Sequence, residues 1–205
     1  LGGMCMSNVL YNGSSDGFGE LCDGYVAYAK EVISGRSFPD IRDGLKPVGR
    51  RIIYSCSNVK GIFDSLYKCG TLVGRIMEIH PHGDSSVYSA LCNMTNNYRG
   101  MNVPLLDAQG NMGKIHSTDS PSAMRYTKAK LSDVARDYLR DMSACNMIPS
   151  EEGEGFEPEV FPVRFPSALI NGTSGMGVSV STSIPSFNML DVINLTQDII
   201  KNGES

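Results

Sequence analysis

The 205-residue sequence contains no apolar run approaching the ~20 residues of a bilayer span, which excludes a membrane-spanning helix within it. Its six cysteines (Cys5, Cys22, Cys56, Cys69, Cys92 and Cys145) are scattered and form no CxxC pair. That spacing excludes a zinc ribbon or a disulfide framework and reads as reduced thiols in a cytosol-like compartment. There is no GxxxxGK(S/T), hence no P-loop, and Gly110 and Gly113 in AQGNMG lack the strand–helix setting of a dinucleotide fingerprint. HExxH is absent as well. The sequence has only three histidines; His80 and His82 have no third ligand nearby and read as polar loop residues, not a zinc site. With 20% charged residues and no low-complexity tract, the chain is not of the disordered class. No signal-peptide pattern opens the sequence, so a soluble, cytoplasmic protein is expected. On that expectation Asn171-Gly172-Thr173 and Asn194-Leu195-Thr196 are chance matches to the glycosylation pattern.

What is present is an uneven charge. The formal net charge is −4, yet residues 25–140 hold 16 of the 18 Lys and Arg against 10 acids, a balance of +6. Residues 1–24 carry −3 and residues 141–205 carry −7. A basic block inside an acidic protein is a candidate footprint for a polyanion. Arg42, Lys46, Arg50 and Arg51 fall within ten residues, opposed only by Asp43.

The first ~20 residues are Gly- and Ser-rich and read as an arm. Asp23 is the expected cap of a helix with Tyr25, Tyr28, Ala29, Val32 and Ile33 on one face, stopped at Gly35. Pro47 opens a second helix that faces Val48, Ile52, Cys56 and Val59 inward. A third, over about 66–79, buries Val73, Ile76 and Met77. After the break His80-Pro81-His82-Gly83, Asp84 or Ser85 caps a fourth helix, with Val87, Ala90, Leu91, Met94 and Tyr98 as its buried stripe. Its other face shows Ser85, Ser86, Ser89, Asn93 and Asn96, which are uncharged hydrogen-bonding groups. Two helices joined by a tight turn fit a helix-turn-helix. Residues 103–127 predict small strands and a β-wing, and a helix from about Ser132 turns Leu131, Val134, Ala135, Tyr138 and Met142 inward. Glu151-Glu152-Gly153-Glu154-Gly155 reads as a solvated connector. Alternating apolar residues around Asn171-Gly172 predict a hairpin, and Asn188 caps a last helix carrying Val192, Ile193, Ile199 and Ile200. The polar end that follows this helix reads as a cut, not a finished chain.

The sharpest local feature is Met124-Arg125-Tyr126-Thr127-Lys128-Ala129-Lys130. Cations beside a phenol favour its phenolate and would hold a phosphodiester against it. Arg is the better phosphate clamp, through two parallel hydrogen bonds. By physics alone, an Arg-Tyr pair in a basic segment is more often a packed or surface tyrosine than a nucleophile.

Five segments occur in order: GRSFPDIRDGLKPVGRRIIY (35–54), HPHGDSSVY (80–88), PLLDAQGNMG (104–113), SAMRYTKAKL (122–131) and LINGTSGMGVSVSTSIPSFN (169–188). Together they closely resemble the breakage–reunion region of the DNA-cutting subunit of bacterial type IIA topoisomerases, the family of DNA gyrase and topoisomerase IV A subunits. The resemblance spans about 25–200. It implies an α+β fold: a mainly helical winged-helix domain (25–148, after an arm at 1–24), then the start of a mixed α/β tower domain (149–205).

In that family the tyrosine of AMRYT attacks a DNA phosphodiester, so the resemblance implies Tyr126 as nucleophile and Arg125 as the group steadying the phosphate. Arg36 matches the second catalytic arginine, and His80 and His82 match histidines that line the site. Lys46, Arg50 and Arg51 match basic residues of a DNA-facing helix, and Ser85 and Ser86, on the fourth helix, are further implied DNA-binding residues. Met176 takes the place of an apolar wedge, usually isoleucine, that enters a base step and bends the duplex. Implied partners are double-stranded DNA, a second A subunit, and the B subunits of an A2B2 assembly. Implied cofactors are magnesium, held mainly by the B subunit, and ATP, used there. Ser85, Ser89 and Arg125 match a quinolone-binding set. Ser89 stands where an acid is usual, which implies lowered quinolone sensitivity. Gly49 replaces a usual histidine or glutamine, Thr71 a frequent arginine and Arg75 a frequent aspartate, marking a divergent member. The competing expectations are a non-catalytic winged-helix module, in which Tyr126 is structural, and a dimerisation scaffold.

Overall fold

The computed structural model describes residues 17–96, 101–114, 119–150, 155–178 and 180–203. Helix α1 (Gly17–Val32) passes directly into a π-helical turn, Ile33–Ser37, that delivers Arg36. Asp23 therefore lies inside the helix and does not cap it; Glu20 supplies the acid in the first turn, where the helix dipole favours one. Tyr25 and Tyr28, expected on an inward face, are exposed.

The core forms around three helices, α2 (Pro47–Ser57), α3 (Cys69–Ile76) and α4 (Asp84–Met94). Pro47 stands in the first turn of α2, where its missing N–H costs nothing. Ile52, Ile53 and Cys56 of α2, Leu72, Val73 and Ile76 of α3, and Val87, Leu91 and Met94 of α4 are buried together. At full burial each aliphatic side chain is worth roughly 1.5–3 kcal/mol of transfer free energy. Met77 and Ala90 are only half-buried, and Tyr98 lies outside the described residues. The cap of α4 is Gly83, not Asp84 or Ser85; Asp84 is the first helical residue and its carboxylate accepts from the Ser85 N–H at 2.7 Å.

A three-stranded antiparallel sheet closes one side, ordered β1 (Tyr67–Lys68), β3 (Lys128–Leu131), β2 (Leu106–Gln109). Leu106 faces Leu131, and Lys68 faces Lys128. Helix α5 (Asp133–Leu139) follows, capped by the Ser132 side chain on the Ala135 N–H, and buries Ala135 and Tyr138.

Beyond residue 154, Phe161 joins this core, with Val163 and Phe165 packed against it. Strands β4 (Met147–Pro149) and β5 (Phe156–Pro158) pair antiparallel, and Phe161 is buried with its ring edge-on to Tyr138 at 6.1 Å. Short helix α6 (Ser167–Asn171) then leads into a hairpin of β6 (Thr173–Met176) and β7 (Ser181–Ile184). Asn171-Gly172 is thus a helix end, not the hairpin turn. Gly172 has φ +61°, and a Cβ there would come within 2.7 Å of the Ile184 carbonyl oxygen. Helix α7 (Met189–Asn202) is capped by Asn188, whose Oδ1 accepts from the Leu190 N–H at 2.9 Å. Of its apolar residues Val192 is buried, whereas Ile199 and Ile200 are exposed. The result is an α+β fold with small antiparallel sheets. No helix among the described residues is long and apolar enough to cross a membrane.

Candidate active site

Arg125 and Tyr126 lie on a turn of residues 124–126 that enters β3. Buried elements pin the turn on both flanks. The N-terminus of α3 donates to it twice, Gly70 N–H to the Met124 carbonyl at 3.3 Å and Cys69 N–H to the Thr127 carbonyl at 3.0 Å. From α4, the Tyr88 hydroxyl donates to the Ser122 carbonyl at 2.6 Å and lies 2.9 Å from Thr127 Oγ1. Burial pushes the Tyr88 phenol up to about 12, so it remains a protonated strut. Between these anchors Tyr126 is 69% exposed, and the Arg125 guanidinium sits 4.8 Å from its ring centroid.

A second grouping lies in a cleft of about 330 Å³ lined by Arg36, Val48, His80, His82, Ser86 and Ala90 among others. The π-turn after α1 presents Arg36, and the α3–α4 connection presents the histidines, whose rings meet edge-on at 4.3 Å. Arg36 is exposed and His80 is buried. Four expected site residues (Arg36, His80, His82 and Ser86) therefore share one cleft. Arg125 and Tyr126 do not line it.

The basic cluster resolves differently from its expectation. Arg50 and Arg51 are turned inward: Arg50 reaches Asp43 through Nε at 2.7 Å and Nη2 at 3.0 Å, and Arg51 holds Glu157 through Nη2 at 2.8 Å. Both are under a tenth exposed and held by carboxylates, which is not the open surface expected of them. The physical reason is pairing: a guanidinium enters an interior only with a carboxylate to neutralise it. Lys46 spans α2 and the hairpin, donating to the Ser174 carbonyl at 2.7 Å, and its partial burial lowers its pKa. Met176, at the end of β6, is 86% exposed. Ser85, Ser86 and Ser89 are exposed along α4, as are Thr71 and Arg75 on α3. Gly49 is buried beside a cleft of about 250 Å³ that also touches Lys46, Asn93 and Asn171.

Sequence reasoning missed Glu157, Tyr88 and the anchoring role of Asp43. The one available signal was Asp43 itself, the lone acid in a dense basic run.

The profile of the DNA gyrase/topoisomerase IV A-subunit family matches residues 36–205, and the chain belongs to that family. Among individual proteins it is 42% identical to the DNA gyrase A subunit of Clostridium acetobutylicum over 185 residues, covering 88% of this chain and 22% of that one. It is 41% identical to the DNA topoisomerase 4 A subunit of Caulobacter vibrioides over 185 residues, covering 88% and 24%. With the DNA gyrase A subunit of Thermotoga maritima it shares 41% over 190 residues, covering 91% and 23%. The chain thus spans less than a quarter of the length of these curated relatives.

Proposed function

We propose that this chain is the DNA-cutting portion of a type IIA topoisomerase A subunit, comprising a winged-helix cleavage domain with the first elements of a tower. The phenolic oxygen of Tyr126 attacks the phosphorus of a DNA phosphodiester. A bond forms between Tyr126 and the five-prime phosphate, the bond to the three-prime oxygen breaks, and the departing three-prime oxygen takes up a proton to replace the one the phenol gives up. One phosphodiester replaces another, so resealing needs no ATP. Arg125 steadies the phosphate and the charge that develops on it. Arg36, His80 and His82 meet the same backbone from the neighbouring cleft, gathered there by the duplex and a second A subunit. Met176 is the wedge that bends the DNA.

The carrying observation is the setting of Tyr126. Exposure by itself also marks surface tyrosines such as Tyr25 and Tyr28; Tyr126 adds to its 69% exposure a guanidinium beside the ring and a turn anchored at both flanks. That favours the nucleophile over the non-catalytic module.

Magnesium takes oxygen ligands, carboxylates above all. The cleft offers imidazoles and a guanidinium, and among the described residues no three His, Cys, Asp or Glu side chains gather. This donor set does not fit the ion, and we assign magnesium and ATP to the B subunits of an A2B2 assembly in the cytoplasm, as the family resemblance implies. The test uses the complete A subunit with its B partner. Tyr126→Phe should abolish the covalent protein–DNA adduct while duplex affinity stays within about twofold. Adduct formation at the wild-type level in that variant would refute the assignment.

A further inference from the structure

The hairpin that carries Met176 and the turn that carries Arg36 meet almost backbone to backbone. Along β6 burial alternates, so Ser174 and Met176 face outward while Thr173 and Gly175 face the molecule. Gly175 lies against the last residue of the π-turn. A Cβ added there would overlap the Ser37 carbonyl oxygen and stand 3.2 Å from Lys46 Nζ. Gly177 lies against the first residue of the same turn, where a Cβ would come within 2.8 Å of Ile33 Cγ1. Lys46, the residue before α2, fastens the strand by donating to the Ser174 carbonyl at 2.7 Å. The exposed Met176 thus stands between two glycines seated on the two ends of the turn that holds Arg36. A glycine within a strand marks a place where another backbone approaches closely. At Gly175 no flexible side chain can yield, and close-packed contacts transmit strain instead of absorbing it.

We propose that Gly175 is a positioning residue: it keys the hairpin into the π-turn, so that a duplex bent at Met176 meets Arg36 in one fixed register. This rests on the readings of Met176 and Arg36 given under Proposed function and adds a mechanical link between them. The wedge opens a base step, and the phosphates displaced by that bend are the anions the guanidinium receives. A side chain at position 175 would lift the hairpin from the turn. The wedge would still bend DNA, but Arg36 would no longer meet the bent backbone in register.

The test compares bending with cutting in the complete A and B assembly. Gly175→Ala should slow single-turnover cleavage on the order of tenfold or more, as a small misplacement of a charge-stabilising group does. Duplex affinity and bend angle, the latter read by energy transfer between dyes on the duplex ends, should keep their wild-type values. In an Arg36→Ala background the same change should have little further effect. Wild-type cleavage, a bend lost in step with cleavage, or additive losses would each overturn the proposal. If Arg36→Ala cleaves normally, or Met176→Ala bends DNA normally, while Tyr126→Phe is inactive, the role given to that residue fails. The link then fails with it, but the nucleophile stands. A measurement with the joint intact covers the case in which Gly175→Ala does not fold. Spin labels are placed on Glu31→Cys and Ser181→Cys, both exposed positions, with the other accessible cysteines replaced by serine. Their separation should be the same in the free assembly and in the covalent cleavage complex, and a shift between the two would overturn the inference.

Discussion

At the scale of single residues, the cations of this chain divide by depth. Arg42 is exposed and pairs with Asp40 at 2.8 Å, an interaction of the kind worth about 0–1 kcal/mol. Arg50, on the next helix, turns its charge into the interior. Its partner Asp43 has no exposed surface and accepts from the Leu45 and Phe161 N–H groups as well, at 3.0 and 3.1 Å. Removing one member of such a pair strands the other. Asp43→Ala is therefore expected to lower unfolding free energy by about 3–5 kcal/mol in urea titration, whereas Asp40→Ala should cost less than about 1 kcal/mol. A count of charges along the sequence made these arginines look alike, since composition says nothing of direction. Tyr126 is the reverse case: its motif was legible, and its exposure agrees with the use proposed for it.

At the scale of elements, local cap chemistry was legible at three helix starts and misleading at two, Asp23 and Asp84 or Ser85. Pro47, Ser132 and Asn188 open helices as their chemistry dictates. Asn171-Gly172 was misread because the same dipeptide serves a hairpin turn or a helix end, and the choice falls to what packs against it. The edge of the small sheet carries a conflict: Lys68 and Lys128 stand directly opposite, both exposed, with no ion pair for either among the described residues. Like charges directly opposite destabilise a strand pair. Lys128→Glu should therefore raise the melting temperature, by the equivalent of about 0.2–1 kcal/mol, with the gain shrinking in high salt. No gain at low salt would mean that the two side chains diverge in solution.

At the scale of the whole molecule, the acid–base behaviour follows from what the fold buries. Burial pushes the Cys56 thiol from its ordinary 9.0 to about 12 and the Tyr138 phenol from 10.0 to about 12, and raises the Cys69 thiol too. With Tyr88 these groups hold their protons longer folded than unfolded. Their contribution is complete below the unfolded values and is lost as pH rises through the folded ones. Lys46, lowered by burial, acts in the opposite sense and is outnumbered. Calorimetry should show melting temperature declining as pH rises from about 9 towards 12. Cys56→Ala should start from a lower melting temperature, for its cavity, but decline less steeply. An unchanged slope would remove Cys56 from this account.

The sequence by itself determined the family, through five ordered motifs, and the order of the helices, through periodicity and caps that act within a few residues of one another. It also marked Tyr126, Arg125, Arg36, His80 and His82 as the residues worth following. Only the tertiary structure decided which cations face solvent, which chain segments share one core, and that Glu157 pairs with Arg51. Those outcomes depend on pairs such as Arg51 and Glu157, 106 residues apart, whose meeting is set by the packing of α2 against β5 and by the cost of burying either charge alone.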